Sequence, residues 1–136
     1  MTPELLANER VERGYTLGLY SEGRLVFSDR GHWLHPLFDL ERFLSGHRDI
    51  RIEECLLHDV VVGRAAALLA ARLGVKRLHA ELLSRRAEPV LAGNRIEYTC
   101  SKQIERIGCR TEDMLAEVDR PEDAYTTIIR LMKEAR

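Results

Sequence analysis

Apolar residues recur along this chain with two different periods, and the points where the period changes mark its elements. Thr2-Pro3 offers a capping hydroxyl followed by proline at the first helical position, which opens a short helix to about Arg13, with Gly14 as its stop. Leu17 and Leu19 then alternate with smaller residues, and Leu25 and Phe27 do the same. These two runs, 15–20 and 24–28, flank Ser21-Glu22-Gly23 and predict a β-hairpin. After a loop at 31–36, Leu37, Leu40, Phe43 and Leu44 keep helical spacing over 36–44, and Ser45-Gly46 ends that helix.

Cys55-Leu56-Leu57 reads as a buried strand. An alanine-rich helix is predicted from about Asp59 to Leu73, closed by Gly74. Residues 75–83 form another strand, and Ser84 caps a short helix that Pro89 weakens and Gly93 ends. Ile96, Tyr98 and Cys100 alternate as a strand. The last third reads as helical pieces: 102–107, broken by Gly108-Cys109, then 111–118. Asp119-Arg120-Pro121-Glu122 opens a final helix to about Ala135. A hairpin ahead of strand–helix alternation implies an α/β fold: a mixed sheet of about five strands flanked by helices, in a single domain spanning 1–136.

Composition narrows the partners. Apolar residues make up 45% of the 136 and charged residues 32%, a balance that supports a packed core. The formal net charge of −1, with acids and bases mixed, argues against a dedicated nucleic-acid binder. Cys55, Cys100 and Cys109 are an odd number and widely spaced, so free thiols in a reducing compartment are expected. Met1-Thr2-Pro3-Glu4 does not begin a signal peptide, and the apolar run near 65–71 is too short to span a bilayer. A cytoplasmic location with no membrane partner is the expectation.

Several stretches carry a family resemblance: the hairpin 15–28, the segment from Gly31 to Pro36-Leu37, and above all Asp59-Val60-Val61-Val62-Gly63-Arg64-Ala65-Ala66-Ala67 and Ala80-Glu81-Leu82-Leu83-Ser84. Gly108-Cys109-Arg110-Thr111-Glu112 and Asp119-Arg120-Pro121-Glu122 add to them. Over nearly the whole chain, these residues and the element order resemble a family of small, mainly bacterial proteins known as domain of unknown function 1893. The resemblance implies a cytidine-deaminase-like, three-layer fold and brings no established reaction. Val60 stands where that family usually has lysine, Arg110 where it has proline, and the loop at 31–36 is longer.

Zinc deaminases place His-x-Glu at one helix start and Pro-Cys-x-x-Cys at the next. His79-Ala80-Glu81 imitates the first motif, but Leu78, Ala80 and Leu82 alternate with Arg77, His79 and Glu81, which is a strand pattern. Ser84-Arg85-Arg86-Ala87 stands in place of the cysteine pair, and Cys100 and Cys109 lie nine apart rather than three. Neither a metal nor a cofactor is expected, and His79 and Glu81 read as polar residues on the less buried face of a strand. His32, His35, His47 and His58 form no ligand cluster by spacing.

The helix starts near Asp59–Arg64 and Ser84–Arg86 should meet at the carboxyl edge of the sheet, where such folds bind ligands. Converging backbone N–H groups with an arginine favour an anion. Asp59, Gly63, Arg64 and Ser84 are therefore the candidate ligand-binding residues, for a small anionic metabolite or nucleotide; equally, Asp59 and Ser84 are helix caps and Arg64 a surface charge. Cys109 and Glu112 join Asp59 as candidate catalytic residues, although Glu112, one turn from Cys109, would raise its thiol pKa. Trp33, between His32 and His35, covers either a pocket or the core. Two functions from different classes follow: a zinc-independent enzyme or binding protein for a small polar metabolite, or a non-catalytic interaction module that self-associates as a homo-oligomer.

Overall fold

The computed structural model describes residues 1–107 and 113–134. Thr2 Oγ1 accepts from Leu5 N to open α1 (Pro3–Arg13), and Gly14 closes it in the left-handed conformation, φ 71°. β1 (Leu17–Ser21) and β2 (Arg24–Asp29) form the predicted antiparallel hairpin. α2 (His35–Ser45) follows, and a 3-10 turn at Ile52–Glu54 leads into β3 (Leu56–Val62). Then come α3 (Arg64–Leu73), β4 (Arg77–Ser84), a 3-10 turn at Arg85–Ala87, α4 (Glu88–Gly93) and β5 (Glu97–Ile104). α5 (Pro121–Glu134) closes the described chain.

The five strands lie in the order β2-β1-β3-β4-β5. β1 is antiparallel to both its neighbours, and β3, β4 and β5 run parallel, so the sheet is mixed as the element order implies. Against one face pack α2, α3, α4 and α5, through Leu37, Leu40, Leu68, Leu91 and Ile128 onto Leu19, Leu57, Leu78 and Leu83. The alanines of α3 let that helix approach the sheet closely, with Ala67 and Ala70 wholly buried. Against the opposite face lies α1, whose Leu6 packs with Tyr15 and Tyr20. Among the described residues, no helix is long and apolar enough to cross a membrane.

Three expectations are corrected. Asp59 does not start a helix: β3 continues through the β-branched Val60-Val61-Val62, pairs with β4, and delays α3 to Arg64, with Gly63 as its N-cap. Residues 102–104 belong to β5 rather than to a helix, because Lys102, Gln103 and Ile104 pair with Leu82, Leu83 and Ser84. Pro89 does not weaken α4, since it stands in the first turn, where no intrahelical N–H is needed. The predicted piece at 111–118 keeps only a helical turn beginning at residue 113 among the described residues.

Candidate functional site

The carboxyl end of β3, the first turn of α3 and the loop at 30–36 enclose a pocket of about 480 Å³. The lower wall comes from Asp59, Val60 and Val61; Gly63, Arg64 and Ala65 follow as the chain turns into the helix. Gly31, His32, Trp33, Leu34 and Pro36 form the opposite rim, and Arg10 of α1 and Ile107 complete it. Most of these groups are apolar. Trp33 holds φ 59°, a left-handed conformation that a bulky residue rarely adopts, and its ring sits edge-on to His35 with 48% of the residue exposed.

Three polar groups give the pocket its chemistry. Burial raises the Asp59 carboxyl to about 7, although the backbone N–H groups of Val60 and Val61 hold it partly down. Thr16 Oγ1 donates to the carbonyls of Gly31 (2.6 Å) and Asp29 (3.2 Å), which ties the loop to the start of β1. Arg10 Nε is buried and has no hydrogen-bond partner among the described residues. A donor left in that state costs roughly 1–3 kcal/mol, more for a charged group, which marks Arg10 as a group prepared for an acceptor.

Of the residues singled out in the sequence, Asp59, Gly63 and Arg64 line this pocket and Ser84 does not. The guanidinium of Arg64 is turned to another use. Its Nε donates to Leu115 O (2.6 Å), and its Nη2 donates to Val118 O (2.5 Å) and Asp119 Oδ1 (2.7 Å). Arg64 is neither a solvated surface charge nor an uncommitted anion ligand: 6% exposed, it fastens the segment before α5 to the start of α3. Ser84 is wholly buried and accepts from Arg86 N, as a cap of the 3-10 turn. Cys109 and Glu112 lie outside the described residues.

The spacing of the histidines hid a second cluster. Parallel pairing of β3 and β4 sets His58 beside His79, on the face covered by α1. Far from lying on a less buried face, His79 is 1% exposed and His58 not at all. His58 Nε2 lies 2.7 Å from Glu81 Oε2, and His79 Nε2 lies 3.0 Å from the same oxygen. Burial lowers the His58 pKa, against the opposing pull of Glu81. The turns after β3 and β4 carry Gly63-Arg64-Ala65 and Ser84-Arg85-Arg86, which offer no histidine, cysteine or carboxylate to a metal. Sequence reasoning missed Arg10 because nothing in its own helix points to a pocket whose walls lie mostly more than twenty residues away.

The family model for a domain of unknown function, DUF1893, matches residues 8–132. Among solved structures, the crystal structure of a DUF1893 family protein (TM1506) from Thermotoga maritima is similar, with a TM-score of 0.79 at 22% identity. That likeness covers 96% of this chain and 91% of the other. No curated protein matches the sequence.

Proposed function

This chain belongs to the DUF1893 family, and from that premise we propose that it binds a small, partly apolar metabolite bearing an anionic or hydrogen-bond-accepting group in the pocket beside Asp59. The carrying observation is Arg10 in the lining of an otherwise largely apolar pocket of about 480 Å³, with its buried Nε lacking a hydrogen-bond partner among the described residues. That volume lies within the range of about 300–1,000 Å³ usual for small-molecule sites. Trp33 and Pro36 supply flat apolar surface for a ring, Arg10 meets the acceptor, and Asp59 exchanges a proton near neutral pH. A nucleoside-like or carboxylated heterocyclic compound has both halves of that chemistry. The succession of a leading helix, a hairpin and three parallel strands also supports the cytidine-deaminase-like, three-layer reading of the fold.

A thermal-shift screen of nucleosides, nucleotides and carboxylated heterocycles, on wild type and Arg10→Gln in parallel, tests the proposal. A ligand at a hundred times its Kd adds about 2.7 kcal/mol, a rise of several degrees. A rise in wild type that Arg10→Gln loses is the expected result. Absence of any rise across the screen, or one that the variant keeps in full, overturns it. Leu5 and Val11, exposed on α1 at 52% and 73%, favour a second reading, self-association through that helix, which sedimentation detects directly.

A further inference from the structure

We propose that His58, His79 and Glu81 form a binding site for a divalent transition-metal ion on the α1 face of the sheet, separate from the pocket beside Asp59. One ligand atom from each of His58, His79 and Glu81 lies within 4.8 Å of the others, and the Nε2 atoms of both histidines approach the same Glu81 oxygen. Two imidazoles and one carboxylate leave a fourth position for water, the ligand number of an open zinc site. In tetrahedral coordination with bonds of about 2.0–2.1 Å, neighbouring ligand atoms stand roughly 3.3–3.4 Å apart. The two nitrogen–oxygen separations here are 2.7 and 3.0 Å, so an ion needs them to open by roughly 0.3–0.7 Å.

The surroundings hold these ligands as a metal site requires. Tyr15 Oη sits 2.7 Å from His58 Nδ1 and 2.8 Å from Tyr20 Oη, while Thr99 Oγ1 sits 2.6 Å from His79 Nδ1. Each imidazole is therefore gripped at its far nitrogen by a hydroxyl, which sets ring orientation and leaves Nε2 facing the centre. Ser101 Oγ stands 3.2 Å from both His79 Nε2 and Glu81 Oε1, within reach of a water on the ion. Glu81, with 19% of its side chain exposed, gives the route to solvent that the buried histidines lack.

Proton balance also works. Without metal, the tautomer of each imidazole with its proton on Nε2 donates to Glu81 Oε2. With metal, each imidazole holds its proton on Nδ1 and donates it to Tyr15 or Thr99, whose hydroxyl protons turn elsewhere. The nitrogen–oxygen donor set suits Zn²⁺, Co²⁺ or Ni²⁺ rather than Ca²⁺ or Mg²⁺. Arg10 also acts on His58, and its positive charge favours an anionic fourth ligand, hydroxide or a carboxylate, over neutral water.

The test titrates chelator-treated full-length chain with Zn²⁺ by calorimetry and with Co²⁺ by absorption, using wild type, Glu81→Gln and Thr99→Val, each shown folded by circular dichroism. Expected are one equivalent bound by wild type, affinity at least tenfold weaker in Glu81→Gln, and about ten- to hundredfold weaker in Thr99→Val. The cobalt complex shows tetrahedral d–d bands without thiolate charge transfer. Thr99→Val keeps a readout if Glu81→Gln fails to fold. No saturable binding by folded wild type, unchanged affinity in the folded variants, or a thiolate band placing the ion on the cysteines overturns the proposal.

Discussion

Arg64→Ala is predicted to destabilise the protein by about 3–5 kcal/mol, because the guanidinium is the donor for carbonyls that water does not replace easily. Nε donates to Leu115 O at 2.6 Å and Nη2 to Val118 O at 2.5 Å, and Leu115 itself is wholly buried. A hydrogen bond from a charged donor contributes roughly 1.5–3 kcal/mol, and the carbonyls left behind account for most of the loss. The pair with Asp119 adds little, about 0–1 kcal/mol, since that carboxylate is 88% exposed. The contact from Nη1 to Arg86 O, at 3.5 Å, is too long to count. Against a total stability of about 5–15 kcal/mol the expected loss is large, near 10–20 °C in Tm for a chain of this size. Urea titration of wild type, Arg64→Ala, Arg64→Lys and Asp119→Asn is the assay. Lysine, a single point donor, should recover less than half, and Asp119→Asn should lose under about 1 kcal/mol. A loss below about 1 kcal/mol in Arg64→Ala refutes the reasoning. The same geometry disqualifies Arg64→Ala as a probe of ligand binding, because the change would loosen the pocket wall whatever the ligand.

Three further outcomes are expected. Gly18→Ala places a Cβ 2.9 Å from Tyr15 Cζ and 3.1 Å from Leu25 Cδ1, pushing Tyr15 away from His58; urea titration should show a loss of about 1–3 kcal/mol. For Asp59, the folded carboxyl titrates near 7, above its unfolded value. The folded state therefore holds the extra proton between about pH 4 and 7, and stability falls as pH rises through that window. Asp59→Asn should remove this slope, so Tm measured at pH 5 and pH 8 should differ less in the variant than in wild type. Ser84→Ala should lower stability by about 1 kcal/mol through the lost cap and leave any pocket ligand's Kd unchanged, because Ser84 is not part of the lining; paired denaturation and binding titrations check both halves.

Where local chemistry decides the structure, the elements were legible in the sequence. Thr2-Pro3 and Gly14 bound α1, Glu22-Gly23 turns the hairpin, and Gly74 at φ 96° ends α3. Long-range pairing governed the failures. Lys102-Gln103-Ile104 has a reasonable helix propensity, and only its parallel partner β4 makes it a strand. Asp59 resembled a cap until pairing of Val61 and Val62 with β4 carried β3 past it. The candidate pocket was half legible: Asp59 and Gly63 were found at the expected edge, whereas Arg10 arrives from a distant helix. His58 and His79 stand 21 positions apart, and only the register of β3 on β4 reveals them as neighbours. The available signal was that each histidine follows a core-facing leucine of its strand, Leu57 or Leu78, and so points to the other face.

Trp33 is the only tryptophan in the chain, and it stands on the rim of the pocket at an exposure near one half. Light absorbed at the red edge of the ultraviolet band, where tyrosine is transparent, therefore reports from that rim alone. Its indole is wet on one side, and a molecule settling into the pocket would exchange water for ligand against the ring. Emission wavelength, lifetime and quenching by iodide would all follow occupancy with no label attached. The geometry of this loop thus supplies the protein with a built-in optical gauge of its own binding site.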